Sequence, residues 1–163
     1  MDVRRATYED LADIEAVTRW ACEEAIGELV PHAAVSGCIH KRFRRSVLSE
    51  HLLAQRLLVG ETDAGRIELV VLIEEYLDHT QLNTVVVPSH PSQSIDGSCL
   101  VNALRSMGWL GPLRSSIPLG DIVVERFHET AGFVPGEIVV EDLAGYGVVR
   151  REWWLDPAYS ATG

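Results

Sequence analysis

Residues Ile67–Leu104 read IELVVLIEEYLDHTQLNTVVVPSHPSQSIDGSCLVNAL, and this stretch decides the fold. From Ile67 to Ile73 only Glu68 is polar, so both period-two faces are apolar. A strand with one wet face alternates, so the run predicts a central strand covered on both sides. A polar turn, Leu77–Gln81, leads into a second strand, Leu82–Val87, which makes a hairpin with the first. Pro88–Asp96 is a loop. From Gly97, Leu100, Ala103, Leu104 and Met107 recur at helical spacing until Gly108 ends the helix. The sequence therefore calls for a sheet with this helix packed on it, not for a helical bundle.

On the N-terminal side, Val3–Thr7 reads as a short strand and Thr7-Tyr-Glu-Asp10 as a capping box. The helix that follows turns Leu11, Ile14, Val17 and Ala21 inward, and a second helix is expected over Ile39–Leu57. Leu57–Gly60 is another short strand. On the C-terminal side, Gly111–Gly120 leaves room for a strand near Ser116–Leu119. Ile122–Thr130 is a helix, and Glu137–Glu141 and Val148–Trp154 are the last strands. Neither repeat nor linker interrupts the pattern. The expectation is one α/β (α+β) domain over residues 1–163, with six to seven strands and about four helices. Trp153 and Trp154 must face opposite ways. One belongs to the core, and the other to an edge, a substrate or a second copy of the chain in a homodimer.

Hydrophobic residues make up 47 % of the 163 and charged residues 23 %, which excludes a disordered chain. The net charge of −10 argues against nucleic acid as a partner and favours a cationic ligand over an acidic one. No apolar run is long enough to span a bilayer, and MDVRRATYEDLADIEAV has no apolar core of a secretory signal. The expectation is a cytoplasmic protein without a membrane partner. Three widely spaced cysteines and six scattered histidines give neither a disulfide framework nor a metal site.

Two segments carry a family resemblance. VVVPSHPSQSIDGSCLVNAL, Val85–Leu104, resembles the acyl-CoA loop and following helix of the GNAT acyltransferase superfamily, V-x-P-x-x-R-G-x-G-x-G-S/A. VERFHETAGFVPGE, Val124–Glu137, is similar to that family's A-x-x-F-Y-x-x-x-G-F. The resemblance implies a mixed, mostly antiparallel sheet and transfer of an acyl group, acetyl first of all, from CoA. The acceptor would be a primary amine of a small molecule or a protein. It also implies that the backbone of Val85 and Val87 holds the pantetheine arm. Gln93, Ser94, Ile95, Asp96, Gly97 and Ser98 would then hold the pyrophosphate of acetyl-CoA, the co-substrate.

The family pattern is incomplete here. With Gly97 at the third glycine, Gln93 and Ile95 replace the first two, and Ser92 replaces the arginine. Asp96 sets a carboxylate where a phosphate would lie and would cap the helix itself. On the strand before the loop, where many relatives keep a Glu, stand Gln81 and Asn83. Glu74, Glu75 and Asp78 follow the neighbouring strand, and Glu75 is the candidate displaced base. His128 takes the place of the family's proton-donating Tyr and is the candidate acid toward the leaving thiolate. Lys41-Arg42-Phe43-Arg44-Arg45, the strongest basic cluster, is a solvated helix face or a contact for an anion. The missing glycines and the absent Glu and Tyr keep a second reading open: a GNAT-like sensor or protein-interaction domain without catalysis.

Overall fold

The structure is a computed structural model, and it describes residues 1–27, 30–86, 95–143 and 145–156. Seven strands form one sheet: β1 (Asp2–Arg5), β2 (Leu57–Glu61), β3 (Ile67–Glu75), β4 (Thr80–Val86), β5 (Leu113–Pro118), β6 (Val134–Leu143) and β7 (Tyr146–Leu155). Their order is β1-β2-β3-β4-β5-β7-β6. Neighbouring strands run antiparallel except β4 and β5, which are parallel.

β3 occupies the centre of the buried half, as its composition demands. Leu69, Val70, Val71, Leu72 and Ile73 are each at most 2 % exposed. Leu69, Val71 and Ile73 pack with Leu82, Leu104, Phe127 and Trp153 under α4 (Ser98–Ser106) and α5 (Ile122–Thr130). Val70 and Leu72 face the other way, toward Ile14, Val35, Phe43 and Leu48 of α1 (Leu11–Ile26), α2 (His32–Phe43) and α3 (Arg45–Leu53). Cys22 and Cys38 meet in this second core as free thiols, Sγ to Sγ 3.8 Å.

The capping box closes: the Thr7 N–H donates to Asp10 Oδ2 at 2.7 Å. Arg4 clamps the same carboxylate at 2.8 and 2.9 Å and holds it well below the usual carboxylate range. The single helix expected over Ile39–Leu57 is instead two. Backbone at Arg44 is extended (φ −63°, ψ 149°) and separates α2 from α3. Phe43 and Leu48 both remain buried in the same core on either side of the break, with Val47 packed beside them. The tandem tryptophans divide as expected: Trp153 is 2 % exposed, while Trp154 lies under the guanidinium of Arg114, 3.5 Å from its ring centroid. No helix among the described residues is long and apolar enough to cross a membrane.

Candidate functional site

The sheet opens between β4 and β5. Their ladder covers only Thr80–Leu82 against Leu113–Ser115, although β4 continues to Val86 and β5 to Pro118. Beyond Leu82, the β5-facing edge of β4 has no ladder partner among the described residues. Backbone groups on such an edge are available to an extended ligand. On the α5 side of the opening, Thr84 Oγ1, Ser115 Oγ and Trp153 Nε1 are buried without a hydrogen-bond partner. Ser115 and Trp153 are cross-strand neighbours, so two of these atoms share one spot. Unpartnered buried polar atoms are costly, and a bound ligand is one way to satisfy them.

Helix α4 starts at Ser98, with Gly97 at its N-cap. Gly97 lies against α5: a Cβ there would meet the Phe127 carbonyl oxygen at 2.0 Å. Thr130 Oγ1 accepts the Gly97 N–H at 2.8 Å, and Asp96 Oδ1 accepts the Ser98 N–H at 2.9 Å. That hydrogen bond holds the exposed Asp96 carboxyl below its ordinary value.

On the opposite face of the sheet, a cleft of about 440 Å³ lies over the same opening. Gln81 and Asn83 of β4 and Ser116 of β5 form its floor. Glu74 and Tyr76 stand on one side, and Arg42, Glu141 and Arg150 on the other. Period-two alternation puts Leu72, Glu74, Gln81 and Asn83 on this one face. His79 stacks on Tyr76 with ring centroids 4.8 Å apart, and the Tyr76 hydroxyl donates to Glu74 at 3.4 Å. Glu141 accepts from Arg42 at 2.6 Å on both oxygens and lies 3.4 Å from Arg150. Arg150 in turn donates from Nε to Ser116 Oγ at 3.1 Å and to the Ser116 carbonyl. Burial and the neighbouring Arg42 push its pKa down to about 10.

No family model and no curated protein sequence matches the chain. Solved structures do. A GNAT-family acetyltransferase from Bacillus cereus ATCC 10987 is 18 % identical, with TM-score 0.65 over 95 % of this chain and 96 % of that one. The PaiA N-acetyltransferase from Thermoplasma acidophilum, in complex with coenzyme A, is 16 % identical, with TM-score 0.66 over 92 % and 96 %. A ribosomal-protein-alanine N-acetyltransferase from Brucella melitensis is 16 % identical, with TM-score 0.66 over 96 % and 99 %. This is a GNAT fold. The expected mixed, mostly antiparallel sheet with its flanking helices is therefore present, split between the fourth and fifth strands.

Within the GNAT fold the expected site residues separate. Val85 lies on β4 beyond the split, its side chain in the α1–α3 core. Ile95 is buried under α4. Asp96, Gly97 and Ser98 form the start of α4, and the N–H groups of Gly97 and Ser98 are engaged as described. Val87, Gln93 and Ser94 lie outside the described residues. Glu75 is turned away from the cleft: it pairs with Arg56 and accepts from Trp109 Nε1 at 3.3 Å. Ile73 points to the α4–α5 core, and alternation carries Glu75 to that side, so Glu74 is the carboxylate that faces the cleft.

The sequence presents His128 as a proton donor, but the structure places it in the core as a neutral imidazole. It is 1 % exposed, edge-on to Phe133 with centroids 5.1 Å apart, and 5.7 Å from the Trp153 ring. Its Nδ1–H donates to the Val124 carbonyl at 2.7 Å, and burial pushes its pKa down to about 4. At neutral pH its one N–H proton is already held by that carbonyl.

Arg150, Glu141 and Ser116 escape a motif reading because they come from three separate strands. One signal was available. Val148 and Arg150 share a strand phase, so an inward Val148 carries a charged residue inward with it.

Proposed function

We propose that the chain is an acyl-CoA-dependent N-acyltransferase, with acetyl-CoA as co-substrate and a primary amine as acceptor. The observation that carries this reading is the β4–β5 split, with a strand edge that has no ladder partner among the described residues and orphaned hydroxyls on one face and a charged cleft on the other. The pantetheine arm lies along β4 from Asn83 to Val85, where its amides pair with backbone as a strand would. Thr84 Oγ1 and Ser115 Oγ serve the same arm. The thioester then reaches the cleft through the split.

In the reaction the acceptor ammonium gives up one proton, the resulting amine bonds the thioester carbonyl carbon, and the nitrogen loses a second proton as the amide forms. The C–S bond breaks, and the thiolate takes up one proton. Glu74, held beside Tyr76 at the cleft wall, is the group placed to draw the ammonium proton away, directly or through a water. Glu74→Gln is expected to lower kcat/KM by about 10²-fold while CoA binding is retained. Glu75→Gln should leave the rate near the parent's. Steady-state thiol release by both variants checks this assignment, and equal rates for the two would remove it.

The start of α4 fits the pyrophosphate less well than the split fits the arm. Two of its N–H groups already serve Thr130 and Asp96, and Asp96 brings a like charge. Asp96→Ala is expected to tighten CoA binding by about five- to ten-fold, from the loss of about 1 kcal/mol of repulsion and the release of one donor. Calorimetric titration of CoA into both proteins reads this out. Weaker binding by the variant would show that Asp96 supports the site. The same self-capping favours the second reading, a GNAT-fold sensor without turnover, and CoA binding with no thiol release from acetyl-CoA with any amine would select it.

A further inference from the structure

The charges of the cleft run against those of the chain. The protein carries a net −10, yet Lys41 and Arg42 of α2 and Arg150 of β7 close around a single carboxylate, Glu141. Three cations against one anion leave this end of the cleft positive. Arg42 and Arg150 are largely enclosed, with side chains 18 % and 6 % exposed. Enclosed positive charge without matching anions is costly, and a ligand anion relieves it. The opposite end holds Glu74. The cleft is therefore bipolar, positive beside β6 and β7 and negative beside β3, with the strand split between the two ends.

We propose that the acceptor is an amine that also carries a carboxylate, an amino acid in the chemical sense. Its anionic end lies against Arg42, Arg150 and Lys41, and its amine lies over the split toward Glu74. This rests on the acyl-transfer reading above and names the substrate class for it. A planar carboxylate matches the guanidinium fork in two-pronged fashion, which gives orientation as well as attraction. The span agrees: Glu74 on β3 stands two strands from β5, where Ser116 holds Arg150. At ~4.8 Å per paired strand this is at least on the order of 10 Å, and the β4–β5 gap at Ser116 adds to it, room for one small amino acid between the two ends. The local field thus reverses what the net charge alone suggests about the ligand.

The test is thiol release from acetyl-CoA by the full chain, with a panel of amino acids set against their C-terminal amides. The best acid is expected to exceed its amide at least 30-fold in kcat/KM. Lys41→Gln, at a mostly exposed position, should lower the acid-to-amide ratio of kcat/KM several-fold. Equal rates for acid and amide in the parent would overturn the proposal. If no amine of either kind supports thiol release, the acyl-transfer reading fails and binding decides. N-acetyl amino acids and their amides would be titrated into the protein while the arginine Nε–H signals are followed by NMR. Shifts with the acid alone would uphold an anion-reading cleft, and identical responses or none would overturn it.

Discussion

Acidification from pH 7 to pH 4 is expected to cost the fold about 3 kcal/mol through His128 alone. The unfolded chain presents an ordinary histidine, protonated below about pH 6.5. The folded chain holds the ring neutral down to about pH 4, because burial among Phe127, Phe133 and Trp153 disfavours the cation. Between those two values the unfolded state binds a proton that the native state refuses. Stability is full above the unfolded pKa and falls as the pH descends toward the folded one. His128→Phe keeps an aromatic ring in the pocket and removes the titration. Denaturant unfolding at pH 7, 5.5 and 4 should show the parent losing about 3 kcal/mol more than the variant over that range. Parallel curves would mean that the imidazole is not held neutral in the core. The same burial has a functional consequence: near neutral pH, the activity profile should not follow this histidine.

Gly97→Ala is expected to destabilise the protein by about 3 kcal/mol, a drop of roughly 6–12 °C in Tm for a chain of this size. The added Cβ would stand 2.0 Å from the Phe127 carbonyl oxygen and 2.8 Å from the Ala131 Cβ. The first obstacle is backbone and cannot swing aside. Helix α4 must therefore move off α5, stretching the Gly97 N–H···Thr130 bond and disturbing Leu100 and Leu104, each at most 1 % exposed. Scanning calorimetry reads the shift directly. An unchanged Tm would show that the two helices do not approach this closely. The glycine at this position thus serves helix–helix contact, whatever it also does for a bound phosphate.

Much of the fold was legible because β3 and α4 advertise themselves locally. A short apolar run with no wet face, rich in β-branched residues and bounded by turns, reads as a central strand, and α4 carries its apolar stripe within nine residues. The boundary at Arg44 was harder, because both halves of the expected helix have good helical composition and Phe43, Val47 and Leu48 keep an apolar stripe running across the break. The site was legible in part. Asp96 stands one residue before the N-cap Gly97 and takes the Ser98 N–H, a contact that its place before a helix made legible. The choice between Glu74 and Glu75 depends on strand phase, and adjacent carboxylates at a strand end give no phase of their own. The fate of His128 was hidden for a different reason. Its environment is built by Phe133 and Trp153, which follow in later elements, so the motif that locates the residue says nothing about the burial that sets its protonation. The Arg42–Glu141–Arg150 cluster joins α2 to β6 and β7 across about a hundred residues of sequence, and no local pattern announces it.

The central claim is that the split between β4 and β5 receives acetyl-CoA, and thermal unfolding with and without that molecule tests it most directly. At ~100 times its dissociation constant the ligand should add about 2.7 kcal/mol, raising Tm by roughly 5–11 °C. Free CoA should do nearly the same, and Asp96→Ala should reach the shift at lower concentration. An unfolding curve that neither acetyl-CoA nor CoA moves, even at millimolar concentration, would contradict the account.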